Sequence, residues 1–260
     1  MGDWALAENQ VDIWQIQISG QGGVERRRQL LSLDEIERAD AFHFEKHRRR
    51  YIAGRAAMRQ ILGIYTEIAP KELVFSYGEK GKPELAGELK RPEIKFNLSN
   101  SQDVAVLAVT QNLTVGIDIE WINPEFATDE IATRFFAEGE VRRLQALPVT
   151  ERSDAFFACW TRKEAYIKAL GEGLSVPLDS FEVAFGPGVP AALLQVRVNP
   201  GEIERWSMYD LAVTQGFRSA LMVEGKGHRL RHMQWEEAEP EFRNQDGVIL
   251  YGKEASNSRL

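Results

Sequence analysis

RKEAYIKALG, Arg162 to Gly171, can be laid over GRAAMRQILG, Gly54 to Gly63, with Lys163 over Arg55, Ala165 over Ala57 and Leu170-Gly171 over Leu62-Gly63. Each decapeptide then runs into similar sequence. The earlier one leads to IAPKELVFSYG, Ile68 to Gly78, and the apolar run VAVLAV, Val104 to Val109; the later one leads to VPLDSFEVAFG, Val176 to Gly186, and SALMVE, Ser219 to Glu224. The pattern reads as two similar α+β halves of about 110 residues, each an antiparallel sheet packed by a long helix. VDIWQIQI, Val11 to Ile18, adds a strand, because Trp14, Ile16 and Ile18 alternate with Gln15 and Gln17. The expected division is an N-terminal lobe over 1–112, a C-terminal lobe over 113–236, and a tail over 237–260 without sustained periodicity.

The chemistry concentrates in two segments of the second half. In VGIDIE, Val115 to Glu120, Ile117 and Ile119 alternate with Asp118 and Glu120, so a strand places both carboxylates on one face. WTRKEAYIK, Trp160 to Lys168, lies in a run from Asp154 to Leu170 that has no Gly or Pro and carries Phe157, Trp160, Ala165, Ile167 and Leu170. That run suits a mostly buried helix ended by Gly171. Glu164 and Lys168, four apart on it, face the same way. Taken singly, the first feature is an ordinary solvated strand face, and the second a surface pair stabilising a helix by about 0.2–0.5 kcal/mol.

Composition bounds the function. The chain has 260 residues, 43% hydrophobic and 27% charged, enough for one sizeable or two modest cores. A single Cys159 allows no internal disulfide and reads as a packed core residue. No apolar run approaches membrane-spanning length, and MGDWALAENQ lacks a secretory signal, so a cytoplasmic protein without a membrane partner is expected. Net charge is −7, yet residues 38 to 59 carry Arg38, Lys46, Arg48, Arg49, Arg50, Arg55 and Arg59 against Asp40 and Glu45. Overall acidity opposes nucleic-acid binding, whereas a local basic patch fits a small polyphosphate. GEKGKPEL lacks the spacer and the Ser or Thr of a P-loop.

Together, the two segments match [IV]-G-[IV]-D and [FW]-[SCT]-x-K-E-[AS]-x-x-K, the motifs of the phosphopantetheinyl transferases, a family this sequence strongly resembles. The likeness extends from about Leu31 to about Val223 through AGRAAMRQILG, GKPEL (Gly81 to Leu85) and KFNLSNSQD (Lys95 to Asp103). One departure is Asn100, where many members carry His between two serines; its amide can bond a phosphate oxygen but cannot become cationic.

The resemblance implies a pseudo-twofold pair of α+β lobes with coenzyme A in the cleft between them. The implied reaction moves the 4′-phosphopantetheine arm of coenzyme A to a serine of an acyl or peptidyl carrier protein, leaving 3′,5′-ADP. Such a reaction calls for a hard divalent cation, Mg²⁺ or alternatively Mn²⁺, which Asp118, Glu120 and Glu164 would hold. Glu164 could also take the serine proton, and Lys168 would neutralise charge on the leaving ADP. By position in the family pattern, Arg38 and Arg50 would meet the 3′-phosphate or adenine side, Lys82 the phosphates, Ser99 with Asn100 the phosphate edge, and Lys163 the pyrophosphate. Arg55 stands between a ligand contact and a core ion pair. Glu140 stands between a third acid near the metal and a helix N-terminal charge. The carrier would dock on the segment from Asn123 to Arg143, with Phe126, Phe135 and Phe136. The long two-lobed form resembles members that work as monomers. Two other readings are a divalent-metal nuclease, which places its Glu and Lys two apart on one strand, and a non-catalytic carrier-protein or coenzyme A binding relative.

Overall fold

The computed structural model describes residues 6–19, 23–87 and 93–236. In chain order it has strand β1 (Gln10–Gln17), helices α1 (Val24–Arg28), α2 (Leu33–Asp40) and α3 (Glu45–Thr66), a small hairpin of β2 (Phe75–Tyr77) and β3 (Pro83–Leu85), and strands β4 (Ile94–Ser101), β5 (Val104–Gln111) and β6 (Val115–Trp121). Helices α4 (Asp129–Phe135), α5 (Glu138–Ala146) and α6 (Val149–Leu170) follow, then β7 (Phe181–Val183), β8 (Leu193–Val196), α7 (Glu202–Arg205), β9 (Trp206–Asp210), β10 (Phe217–Glu224) and β11 (Arg229–Trp235).

The two halves expected from the internal likeness are present. One sheet has the order β11-β1-β5-β4 and is packed by α3; the other has the order β6-β10-β9 and is packed by α6. α3 and α6 are both 22 residues long, and each leads to a two-stranded hairpin, β2-β3 or β7-β8. Period-two alternation sorts the strands: Trp14, Ile16, Leu107 and Val109 join Met58 and Ile61 of α3 in one cluster, and Ala220 and Met222 join Phe156 and Ala165 of α6 in a second. The opposite strand faces, with Val11, Ile13, Val106, Ile117, Ile119 and Leu221, share a third cluster that joins the two sheets. Among the described residues no helix is long and apolar enough to cross a membrane.

Two sequence expectations change. The strand β11, assigned to the C-terminal lobe, pairs in parallel with β1 in the first sheet. In that register Arg231 lies beside Asp12 and donates from Nε to Oδ1 at 2.9 Å, while Gln10 and Tyr65 satisfy the same fully buried carboxylate at 2.7 and 2.6 Å. Helix α6 begins at Val149 rather than Asp154, since nothing between Pro148 and Asp154 breaks it; it does end at Gly171, with φ 73°. Helix α3 runs past Gly63 to Thr66, and Gly63 serves a close approach, since a Cβ there would lie 2.9 Å from the Ile68 carbonyl oxygen. The tail over 237–260 lies outside the described residues.

Gly116 sets the contact between β6 and α6. A Cβ on it would overlap the Ala165 carbonyl oxygen and the Ala169 amide and lie 2.8 Å from Ala169 Cα. Backbone therefore touches backbone, which small residues on both sides allow. Gly116→Ala is expected to destabilise the protein by about 3 kcal/mol through overpacking. Gly54 lies in the interior of α3, and a Cβ there would have nothing within 4 Å, so Gly54→Ala should stabilise the protein by about 1 kcal/mol. Paired urea titrations of the two variants check both signs.

Candidate active site

The close approach at Gly116 brings the open side of α6 to the carboxylate face of β6. Ile117 and Ile119 are fully buried in the shared cluster, while Asp118 and Glu120 point to the other face, as their alternation predicts. Between Thr161 and Ala169 on α6, only Glu164 and Lys168 are not fully buried. The Lys168 ammonium donates to Asp118 Oδ1 at 2.6 Å and to Ser99 Oγ at 2.8 Å, and Ser99 Oγ donates to the same carboxylate oxygen at 2.9 Å.

β4 brings the first lobe into the site through a side-chain zipper. Asn97, Ser99 and Ser101 alternate along FNLSNS and face β6. Asn97 Oδ1 accepts from the Ile117 amide at 2.8 Å, and Ser101 Oγ donates to Glu120 Oε2 at 2.8 Å while accepting from the Trp121 amide at 3.0 Å. Ser219 on β10 fixes Asp118 from behind by donating to its carbonyl at 2.6 Å. Asn97, Ser101 and Ser219 were missed by sequence reasoning. For the two on β4, the signal was the two-residue period of polar side chains.

The acids are held where charge is expensive. Burial raises the Asp118 carboxyl above its ordinary range, against the pull of Lys168 and Ser99. Burial and then the Asp118 charge push Glu120 up to about 7, opposed by the Ser101 hydrogen bond. Glu164 rises for the same two reasons, burial and Asp118. Asp118 Oδ2 is buried and has no hydrogen-bond partner among the described residues. Hard oxygen donors, mutual repulsion and an orphaned buried oxygen fit a divalent cation. No three acidic, His or Cys side chains among the described residues are gathered into a metal cage, so a cation here would need further oxygens from water or substrate.

The remaining expected site residues divide. Arg38 is exposed, its guanidinium 5.8 Å from the Tyr51 ring centre. Arg50 donates to Asp103 at 2.8 Å and Gln102 at 3.0 Å, in the turn from β4 to β5. Asn100 is exposed and, by alternation, lies on the face opposite the zipper, so the residue that departs from the family pattern is not part of the carboxylate cluster. Ser99, by contrast, belongs to that cluster.

Lys163 requires correction. Its side chain has no exposed surface, its ammonium pairs with Glu140 at 2.7 Å and donates to the Leu178 and Phe181 carbonyls at 2.8 and 2.6 Å, and it cannot reach a pyrophosphate. Helical geometry turns it about 100° from Glu164, which on this helix means into the core. Glu140 is the helix N-terminal charge, accepting from the Ala137 amide at 2.9 Å, and also bonds the Val183 amide at 2.8 Å. Arg55 resolves to a core ion pair: it lies 3.3 Å from Glu35, which Arg59 also meets at 2.6 Å. Cys159 is buried, its thiol pushed well up by burial. Lys82 is partly buried and donates to the Lys168 carbonyl at 2.7 Å and the Val115 carbonyl at 3.0 Å.

A carboxyl whose proton affinity is raised on folding opposes folding once it ionises, so the penalty is absent below its unfolded value and complete above about 7 for Glu120. Glu120→Gln should therefore raise the melting temperature at pH 8 in the presence of a chelator, with the gain vanishing near pH 4. Thermal melts across that range check the sign.

Comparison with known proteins bears on the same residues. A family model described as the 4′-phosphopantetheinyl transferase superfamily matches residues 114–215, and one described as 4′-phosphopantetheinyl transferase, N-terminal, matches residues 21–112. The chain is 36% identical over 223 residues to the 4′-phosphopantetheinyl transferase HetI of Nostoc sp., spanning 85% of this chain and 91% of that protein. It is 33% identical over 159 residues to the 4′-phosphopantetheinyl transferase Sfp of Bacillus subtilis, spanning 61% and 68%. Among solved structures it is similar to the holo-[acyl-carrier-protein] synthase of Thermotoga maritima, with 27% identity, a TM-score of 0.35, and 44% of this chain and 64% of that one covered. With both halves matched and HetI aligned over almost all of its length, this chain belongs to the 4′-phosphopantetheinyl transferase superfamily.

Proposed function

We propose that this enzyme transfers the 4′-phosphopantetheine arm of coenzyme A to a serine hydroxyl of an acyl or peptidyl carrier protein and releases 3′,5′-ADP. The observation that carries the reading is the cluster in which Lys168 and Ser99 hold one oxygen of Asp118 while the other is left buried and unpaired beside Glu120 and Glu164. Asp118, Glu120 and Glu164, which are not drawn into a closed cage among the described residues, would supply carboxylate oxygens to Mg²⁺, or Mn²⁺ in its place, with water or substrate oxygens completing its shell, and the cation supplies Lewis-acid neutralisation of the pyrophosphate.

The chain's own residues do the rest. The serine oxygen bonds to the phosphorus that carries the pantetheine arm, and the bond from that phosphorus to the bridging oxygen of 3′,5′-ADP breaks. Glu164, on the open side of α6 and with its proton affinity raised, accepts the serine proton. Lys168, one helical turn on, offsets the negative charge growing on the leaving phosphate. Arg38 and Arg50 mark the side of the first lobe that would receive the 3′-phosphate.

The carrier would approach over the segment from Asn123 to Arg143. Phe126 is 40% exposed, stacks on Phe157 and meets Trp160 edge-on, four residues before Glu164, with Phe135 also edge-on against Trp160. Phe136, at 3%, is core and drops out of the docking surface. The same reading takes the protein as a cytoplasmic monomer with no nucleic-acid partner, in keeping with its net charge of −7.

Incubation with coenzyme A, Mg²⁺ and apo carrier proteins should add one phosphopantetheine arm to a carrier by intact mass, and only with metal present; no gain on any carrier would favour the non-catalytic reading. Glu164→Ala and Asp118→Ala should each lower kcat at least about 100-fold while leaving the fold intact. Arg38→Ala should raise KM for coenzyme A more than for its 3′-dephospho form, and equal effects would remove the 3′-phosphate role.

A further inference from the structure

Lys82 sits on the turn side of the β2-β3 hairpin, a part of the first lobe, yet among the described residues every hydrogen bond of its ammonium goes to the second. Its Nζ donates to the Lys168 carbonyl at 2.7 Å, the Val115 carbonyl at 3.0 Å and the Ala169 carbonyl at 3.5 Å. An ammonium has three N–H groups, so these three oxygens take all of its donors. Lys168 and Ala169 belong to the last turn of α6, where carbonyls have no partner within the helix, and a cation is favoured at that end of the helix dipole. Val115 opens β6. One side chain thus ties the end of the helix that carries Glu164 and Lys168 to the start of the strand that carries Asp118 and Glu120.

The hairpin is anchored behind this contact. Tyr77 on β2 accepts from Arg55 at 2.9 Å, and Phe75 packs edge-on against Phe96 of β4. In front, it meets α6 closely: a Cβ on Gly173 would come 3.2 Å from Lys80 Cβ, and one on Gly171 would come 3.7 Å from Lys82 Cδ. A cleft of about 150 Å³ opens beside Lys82, walled by Ile94, Lys95, Val115 and Gly171. Burial lowers the ammonium to about 8, a cost that makes sense only if the three carbonyl bonds offset it.

Lys168 is consequently gripped at both ends. Its side chain is held by Asp118 and Ser99, and its carbonyl is held by Lys82 from the other lobe. Resting on the transfer function proposed above, we infer that Lys82 is a positioning residue: it locks the last turn of α6, and with it Lys168, against β6 and the first lobe, and makes no contact with the phosphates of coenzyme A.

The test compares Lys82→Met, which keeps the length of the side chain and removes its donors, with wild type and Lys82→Arg. Hydrogen–deuterium exchange over residues 166–171 should quicken at least about tenfold in Lys82→Met and stay near wild type in Lys82→Arg. The Kd for coenzyme A by calorimetry should change less than about twofold, while kcat falls at least about tenfold through misplacement of Lys168 and is partly restored by Arg. Unchanged exchange, or a Kd raised more than about tenfold with kcat preserved, would overturn the inference and return Lys82 to the phosphates. Should Lys82→Met fail to fold, Lys82→Gln, which stays polar but ends one atom short of the ammonium and so cannot span to the three carbonyls, carries the same comparison. Wild-type protein that transfers nothing to any carrier would count against the transferase reading alone, because exchange and binding report on the staple without turnover.

Discussion

The backbone contact between α6 and β6 at Gly116 is the constraint on which the site rests. Helices ordinarily stand off a sheet by the thickness of their side chains, and here that layer is missing at one point, because Gly116 faces Ala165 and Ala169. The consequence is local and chemical. Side chains that flank the contact, Glu164 and Lys168 on the helix and Asp118 on the strand, are brought within a hydrogen bond of one another or of shared charge. A larger residue at Gly116 would widen the gap and separate the acid from its lysine.

Buried charge is handled in two distinct ways in this molecule. Glu140 with Lys163, and Asp12 with Arg231, are closed networks in which the carboxylate oxygens are bonded and the cation is matched by carbonyls or by a carboxylate. Removing one member of such a pair leaves an uncompensated charge, at about 3–5 kcal/mol. Asp118 is open by comparison. It has one oxygen saturated and one orphaned, and its neighbours Glu120 and Glu164 are held in a state that favours a proton or a cation. Glu35 Oε1 is also buried without a hydrogen bond, but it lies 3.3 Å from the Arg55 guanidinium and its carboxylate is matched by two arginines, whereas the open oxygen of Asp118 has the acids Glu120 and Glu164 for neighbours.

The first lobe meets the carboxylate cluster through polar side chains. The zipper of Asn97, Ser99 and Ser101 replaces what would be a backbone ladder between β4 and β6, so polar side chains join the two sheets where the carboxylates emerge. Lys82 makes a second junction at the far end of α6. Two polar seams thus join the lobes, and the third apolar cluster supplies cohesive burial between the two sheets.

Periodicity and spacing alone determined that β6 would present Asp118 and Glu120 on one face, that Glu164 and Lys168 would share a face of one long helix ending at Gly171, and that the chain would fold as two α+β halves. Those properties depend on local repeat lengths, which a sequence carries in full. Tertiary structure alone decided which basic residues are free. Helical spacing set Lys163 about 100° from Glu164 but not what that side of the helix faced, and it points into the core and closes on Glu140; Arg55 and Arg59 were drawn from an apparent surface patch into a buried pair with Glu35; Lys82 became a staple. Tertiary structure also decided the return of β11 to β1, which a linear division at residue 113 could not contain. The physical reason is common to all of these: a charge is assigned by what packs against it from distant parts of the chain, and that partner is chosen when the sheets and helices close, not by the residues on either side.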